Sequence, residues 1–336
     1  MFHRFLLLIV IPALVFVSCE EEPKRSLKKG KPTNKVRFVP IERPEFNADN
    51  AYQYIKTQVD FGPRVPGTPS HKRCAEYLEK ELSQLGMETQ VQEAKVTSFD
   101  GVELPIYNIT GRFNSENPNR IMLFAHWDTR PFADRDTKDK KKPILGANDG
   151  ASGVGVLLEI ARIIAQDSLK PSVGIDIVFF DAEDYGQPSG TMQGAESSNT
   201  WCLGSQYWAN NLPEDFVRPK YGILLDMVGS ANATFPKEAG SIKYNSSLVS
   251  NVWFIANKLG YGKYFIQDVA GGGITDDHVP VSVLANIPSI DIIHYDPRKR
   301  DFGHFHHRHS DNMDVIDKNT LHAVGETVLE VIYREK

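Results

Sequence analysis

Arg120-Ile121-Met122-Leu123-Phe124-Ala125-His126-Trp127-Asp128 is the stretch on which the fold turns. Five consecutive apolar residues from Ile121 suit a strand covered on both faces, and the run stops at an imidazole and a carboxylate. A charged loop follows through Lys142, and Asn148-Asp149-Gly150-Ala151-Ser152-Gly153 then opens a helix whose apolar residues continue to Ile164. The strand pattern returns over 173–180, interrupted by Asp176, and ends in Asp181-Ala182-Glu183-Asp184. Strand, crossover helix and strand predict a parallel pair.

Working outward, helical spacing marks 49–59 and 70–85, where Cys74, Tyr77, Leu78, Leu82 and Leu85 recur behind the turn and cap signal Pro66-Gly67-Thr68-Pro69. Strand patterns occupy 89–96, 104–111 and 221–228, the last carrying Asp226 near its end. Helices over 247–259 and 277–284, a strand over 289–294 and an amphipathic helix over 319–334 complete the chain. The expectation is a single α/β domain: a mixed, mostly parallel twisted sheet with helices on both faces. No repeat of fixed period is visible.

The 336 residues are 41% hydrophobic and 24% charged, which excludes collagen, coiled coil and low-complexity chains. A net charge of −5 offers no basic field for a nucleic-acid backbone, so no nucleic-acid partner is expected. Arg4 precedes an apolar run over 5–17, too short to span a bilayer, and Ser18-Cys19 closes it. That ending resembles the lipobox of bacterial lipoproteins, an ordinary signal peptide being the alternative. The reading is a signal peptide over 1–18 and a lipidated Cys19 on a disordered tether over 19–45. Between Glu20 and Lys35, nine of sixteen residues are charged. The protein is therefore expected as an exported, periplasmic or cell-envelope lipoprotein that meets the membrane only through the lipid on Cys19, a monomer being favoured. Cys74 and Cys202 could pair there or remain two buried thiols.

In open sheets of this kind ligands bind beyond the carboxyl ends of the strands. His126, Asp184, Asp226 and the loop after His294 all fall at such ends, and Asp149 at a helix start, where unpaired amides favour a carboxylate. In His126-Trp127-Asp128 the acid is placed to orient the imidazole. The small residues around Gly150 permit close backbone approach to a ligand, or belong to an ordinary helix entry. Glu183-Asp184 sets like charges side by side, which is costly unless a cation offsets them. Asp276-Asp277-His278 reads as helix capping or as part of a site. Gly303 to Asn312 holds four of the ten histidines, of which one suffices as a ligand. Trp201, Trp208 and Trp253 read first as packing residues. An aspartate and histidine set without a cysteine cluster suits catalytic zinc. No phosphate-binding loop or serine nucleophile elbow occurs.

The ordered set His126-x-Asp128, Asn148-Asp149-Gly150, Glu183-Asp184, Leu225-Asp226, Asp276-Asp277-His278 and His307-x-x-x-Asp311 resembles the zinc aminopeptidase and glutaminyl cyclase superfamily. Phe179-Phe180-Asp181, Leu225-Asp226-Met227-Val228-Gly229, Thr234-Phe235-Pro236 and Asp276-Asp277-His278-Val279-Pro280 look most like the animal-type glutaminyl cyclases, which some bacteria carry as exported lipoproteins. The resemblance implies a zinc exopeptidase-like fold, with 46–336 as the catalytic domain. It implies Asp149, Asp184 and His307 as ligands of one zinc, Glu183 as the proton-transfer group, and Asp226 and Asp276 as acidic partners around the substrate amine and leaving group. Trp201, Phe302 and His306 become candidates for the substrate pocket. Asp184 stands where many relatives have Glu, His306 where the animal enzymes carry a pocket Trp, and Asp291 where they carry a His behind the metal ligands. The implied reaction is conversion of N-terminal Gln of peptides or exported proteins to pyroglutamate with release of ammonia. The alternative is a two-zinc aminopeptidase, with His126 and Asp226 as second-metal ligands. A binding protein on the same fold that has lost catalysis is the third reading, disfavoured because every ligand is present.

Overall fold

A computed structural model describes residues 38, 39, 41–188, 199–214 and 216–336. The proposed signal peptide, Cys19 and most of the tether lie outside the described residues. Residues 39–336 form one compact unit. The chain is docked by Arg43, which donates to Glu326 and Glu330 at 2.6 and 2.7 Å. No helix among the described residues is long and apolar enough to cross a membrane.

The unit opens with helices α1 (Ala48–Asp60) and α2 (Pro69–Gln84). Thr68 caps α2 through its hydroxyl and Pro69 takes the first turn, as the turn signal predicts. Strands β1 (Glu88–Thr97) and β2 (Glu103–Phe113) pair antiparallel, and β2 pairs antiparallel with β4 (Gly174–Phe180). Beyond β4 the sheet is parallel: β4 with β3 (Arg120–His126), β3 with β5 (Gly222–Asp226), and β5 with β8 (Ser289–Ile293). The spatial order is therefore β1-β2-β4-β3-β5-β8, the expected mixed sheet with a parallel core.

The two faces follow from strand periodicity. Met122 and Phe124 of β3 pack with Val178, Phe180 and Leu224 against Trp208 of α4 (Leu203–Asn210) and Val281 of α6 (His278–Val283). On the opposite face, Ala125 meets α3 (Ala151–Gln166) at Gly153. A Cβ on Gly153 would collide with the Leu225 carbonyl oxygen. The small residues expected to admit a ligand thus admit strand β5 at this position. Helix α7 (Lys318–Arg334) joins α1 and α3 in this layer.

A two-stranded parallel sheet of β6 (Phe235–Glu238) and β7 (Phe265–Ala270) stands apart. It carries no clear sequence signal, because β6 is four residues with a proline inside. The expected helix over 247–259 is the second half of α5 (Ala239–Lys258), which breaks at Asn245 with φ −152°. The Asn245 carboxamide accepts from the Leu248 amide at 3.1 Å, an internal cap that makes the second half legible alone.

Candidate active site

The strand ends and their loops converge on a cavity of about 500 Å³, within the ~300–1,000 Å³ range of small-molecule sites. Asp149, Glu183, Asp184, Asp226, Asp276 and His307 line it, together with Trp201, Phe302 and His306. Every residue singled out by the sequence for catalysis, first-metal ligation or the pocket wall faces this one space. His126 stands against it, its Nε2 3.2 Å from Asp149 Oδ1 and from Asp226 Oδ1.

Backbone geometry at the site is unusual. Ala182 before Glu183, Met227 after Asp226, and His307 itself hold φ values of 50°, 48° and 57°. Non-glycine residues in the left-handed region cost of order 1–3 kcal/mol each, and such strain gathers where surrounding structure fixes a functional geometry. Asp149 does not cap α3 with its side chain. Gly150 is the N-cap, at φ 97°, and a Cβ there would meet the Asp128 carbonyl. The Asp149 carboxylate is thereby left to the cavity, while the Asp311 carboxylate accepts the Asn148 and Asp149 amides at 2.8 and 3.0 Å.

Asp128 sits 3.4 Å from His126 Nδ1, as the tripeptide predicts, and also accepts the amides of Glu183 and Asp184 at 3.0 and 3.2 Å. One buried carboxylate thus ties the end of β3 to the turn after β4. Asp276 and Asp277 do not cap α6 with their side chains. Asp277 accepts the Ser205 hydroxyl at 2.5 Å, and Asp276 accepts the Asp277 amide at 2.6 Å while its second oxygen is left without a hydrogen bond.

His307 Nε2 lies 3.3 Å from Asp184 Oδ1 and 4.0 Å from Asp149 Oδ2, while its Nδ1 faces Asp134 at 3.4 Å. The Oδ2 atoms of Asp149 and Asp184 are buried without a hydrogen-bond partner. Orphaned carboxylate oxygens cost several kcal/mol unless a cation meets them. The 3.3 Å separation matches the roughly 3.3–3.5 Å donor–donor edge of tetrahedral zinc and the 4.0 Å one is wider. It is the orphaned oxygens and the carboxylate–imidazole donor set that suit a divalent metal here. Asp149, Asp184 and His307 do not all bring donor atoms within 4.8 Å of one another, whereas the group of His126, Asp149 and Asp226 does, as does that of Asp149, His306 and His307. In the last group, His306 Nδ1 accepts from Arg135 at 2.8 Å. Arginine only donates, so Nε2 of the neutral ring carries the proton and neither nitrogen has a lone pair for a cation. His306 is therefore wall, its ring 3.7 Å from that of His307 and 4.7 Å from that of Phe302.

Glu183 is buried, with Asp276 and Cys202 offering atoms within 4.8 Å of it. Burial, with Asp276 and Asp184 adding repulsion against the pull of His126, pushes its acid well above the usual carboxylate range. Burial, then Asp276 and Asp226, does the same to Asp291, whose oxygens both lack a hydrogen bond.

Several residues that position the site gave no sequence signal. Arg64, fully buried, donates to the carbonyls of Trp127, Leu145 and Gly146, joining the His126 and Asp149 segments. Arg130 donates to the Asp184 carbonyl at 2.9 Å and to Asp134 at 2.6 Å, and lies 4.7 Å from the centre of the Trp201 ring. Trp201 stacks on His307 with ring centres 5.8 Å apart. Trp208 and Trp253 are packing residues. Cys74 and Cys202 are both free thiols, which closes the question of a disulfide. The Cys202 thiol instead donates to Glu183 at 3.3 Å. Of the four clustered histidines, only His306 and His307 line the cavity, and His309 pairs with Asp136 at 3.0 Å.

A parallel-cored sheet with carboxylates and imidazoles gathered at its strand ends defines an α/β enzyme of zinc exopeptidase type. Residues 108–332 match the model of peptidase family M28, and the chain belongs to that family. It is 52% identical to the glutaminyl cyclase of Bacteroides thetaiotaomicron, solved bound to N-acetylhistamine, over 88% of this chain and all of that one, with a TM-score of 0.84. The glutaminyl cyclase of Tannerella forsythia is 53% identical over 87% of this chain and all of that one, with a TM-score of 0.83. A leucine aminopeptidase precursor from Bacteroides thetaiotaomicron is 51% identical over 88% of this chain and all of that one, with a TM-score of 0.83.

Proposed function

We propose that the chain is a glutaminyl-peptide cyclotransferase, closing the N-terminal Gln of peptides or exported proteins to pyroglutamate with release of ammonia. The observation that carries this reading is the pair of buried carboxyls, Glu183 and Asp276, on the wall shared with Asp149, Asp184 and His307. Two glutaminyl cyclases at about half identity over nearly the whole folded unit support it.

In the reaction the α-amine attacks the side-chain amide carbon, the new carbon–nitrogen bond closes the ring, and the amide nitrogen leaves. Asp149, Asp184 and His307 would hold one zinc ion, which supplies a Lewis acid beside the amide oxygen as it gains negative charge. Glu183 takes a proton from the amine and returns it to the leaving nitrogen. Its upward-shifted acid suits this, since a shuttle must both accept and release near the operating pH. Asp276 shares a proton or hydrogen bond with Glu183, and Asp226 accepts from the incoming amine. Both reacting groups belong to one residue, so Trp201, Phe302 and His306 serve by folding the side chain into attacking shape and keeping water away.

The cradle of His126, Asp149 and Asp226 favours one second reading, a two-metal aminopeptidase in which Glu183 activates water. Mass spectrometry separates the two. A Gln-initiated peptide incubated with the mature protein should lose one ammonia with its chain intact; free leucine released from a Leu-initiated peptide would establish the aminopeptidase instead. We also propose export through the apolar N-terminal segment and anchoring by lipid on Cys19. Metabolic labelling with a fatty acid, lost in Cys19→Ala, tests that.

A further inference from the structure

The cavity that holds Glu183 has a wall of opposite charge. Its five carboxylates, Asp149, Glu183, Asp184, Asp226 and Asp276, are all buried. Arg300 lines the same cavity but is exposed. It belongs to the turn Asp296-Pro297-Arg298-Lys299-Arg300-Asp301, closed by the Arg300 amide donating to the Asp296 carbonyl at 2.8 Å and the Asp296 amide donating to the Asp301 carbonyl at 2.8 Å. Arg300 takes a φ of 56° there.

Charge accounting on this turn leaves an excess. Lys299 lies 3.5 Å from Asp296, and Asp301 lies 3.7 Å from Arg135, whose guanidinium also donates to His306. These pairs account for both carboxylates of the turn. Among the described residues no carboxylate lies within 4 Å of Arg298 or Arg300. The cavity thus combines buried acids with an exposed guanidinium that has no carboxylate partner among the described residues. A peptide N-terminus has matching charges when an anion follows its amine by a residue or two.

We propose that Arg300 sets substrate preference by receiving a carboxylate carried just downstream of the N-terminal Gln. The inference rests on the cyclotransferase reading and names the class of peptide that site takes. An exposed ion pair is worth about 0.2–1 kcal/mol, so the preference is about 1.4- to 5-fold in kcat/KM for an acidic over a neutral neighbour. Arg298 adds long-range attraction that fades as salt rises.

The test compares kcat/KM for three C-terminally amidated peptides, Gln-Glu-Ala, Gln-Ala-Ala and Gln-Lys-Ala, on wild type, Arg300→Gln and Arg300→Glu. Free-acid Gln-Ala measured against its amide shows whether a chain-end carboxylate serves as well as a side chain. Ratios within each protein cancel any loss of folded enzyme. At high salt, where the pull of Arg298 is screened, the expected order is Glu above Ala above Lys in wild type, level in Arg300→Gln and reversed in Arg300→Glu. Equal rates in wild type, or an order that survives Arg300→Glu, would overturn the proposal. Binding of the same peptides to Glu183→Gln protein reads the preference without turnover. Absence of cyclisation would therefore condemn the reaction assigned above, while the affinity ratios still judge Arg300.

Discussion

Asp128 makes one carboxylate serve three neighbours, and that economy recurs across the site. The residue was legible in the sequence because His126-x-Asp128 is local. Its service to the Glu183 and Asp184 amides was not, since those partners lie 55 and 56 positions away. The same contrast separates Glu183, marked by its acidic neighbour at a strand end, from Arg64 and Arg130, whose burial leaves no trace in a linear pattern. Replacing Glu183 by Gln removes the proposed proton carrier and keeps the shape. The expected result is a roughly 10²- to 10⁴-fold loss of turnover with metal content unchanged, read by coupled ammonia assay and metal analysis.

Glu238 carries a separate prediction. It accepts the Gly240 and Ser241 amides at the start of α5, with His278 Nε2 at 3.3 Å. Burial would raise its acid, but His278 and the two amides outweigh burial and hold it at about 2. A depressed carboxyl contributes stability above its unfolded value, near 4.5, and that contribution fades as pH falls through about 2. Melting temperature followed from pH 6 downward should therefore fall more steeply in wild type than in Glu238→Gln over that window; parallel curves would contradict the assignment.

At the level of elements, α3 and β5 show why a sequence pattern identifies a helix but not what its glycines do. In a helix interior Ala is favoured over Gly by about 1 kcal/mol. Gly153, however, lies against the Leu225 backbone, which cannot move as a side chain end can. Gly153→Ala should thus destabilise by about 1–3 kcal/mol in urea unfolding, the overpacking cost exceeding the propensity gain; a stabilised variant would show that β5 yields. Long apolar runs such as β3 and β4 were legible because they are buried on both faces. The β6–β7 pair was not, since β6 is four residues long and holds a proline, and β7 is short and half exposed.

At the level of the whole molecule, the start and end of the folded unit are clasped together. Arg43 holds Glu326 and Glu330 on α7, its side chain 8% exposed and that of Glu330 fully buried. Arg43→Ala leaves two carboxylates with fewer partners, and a loss of about 3 kcal/mol is expected in chemical denaturation. The site itself is a product of this scale. Six short motifs spread from His126 to Asp311 have no local reason to meet. Their order along the chain and the strand-end rule made the convergence legible, whereas the edge lengths around His307 needed the fold. Metal analysis of wild type, Glu183→Gln and Asp184→Ala bears most directly on that convergence. About one zinc per chain in the first two and little in the third is the predicted result; full zinc in Asp184→Ala, or about two per chain in wild type, would contradict it.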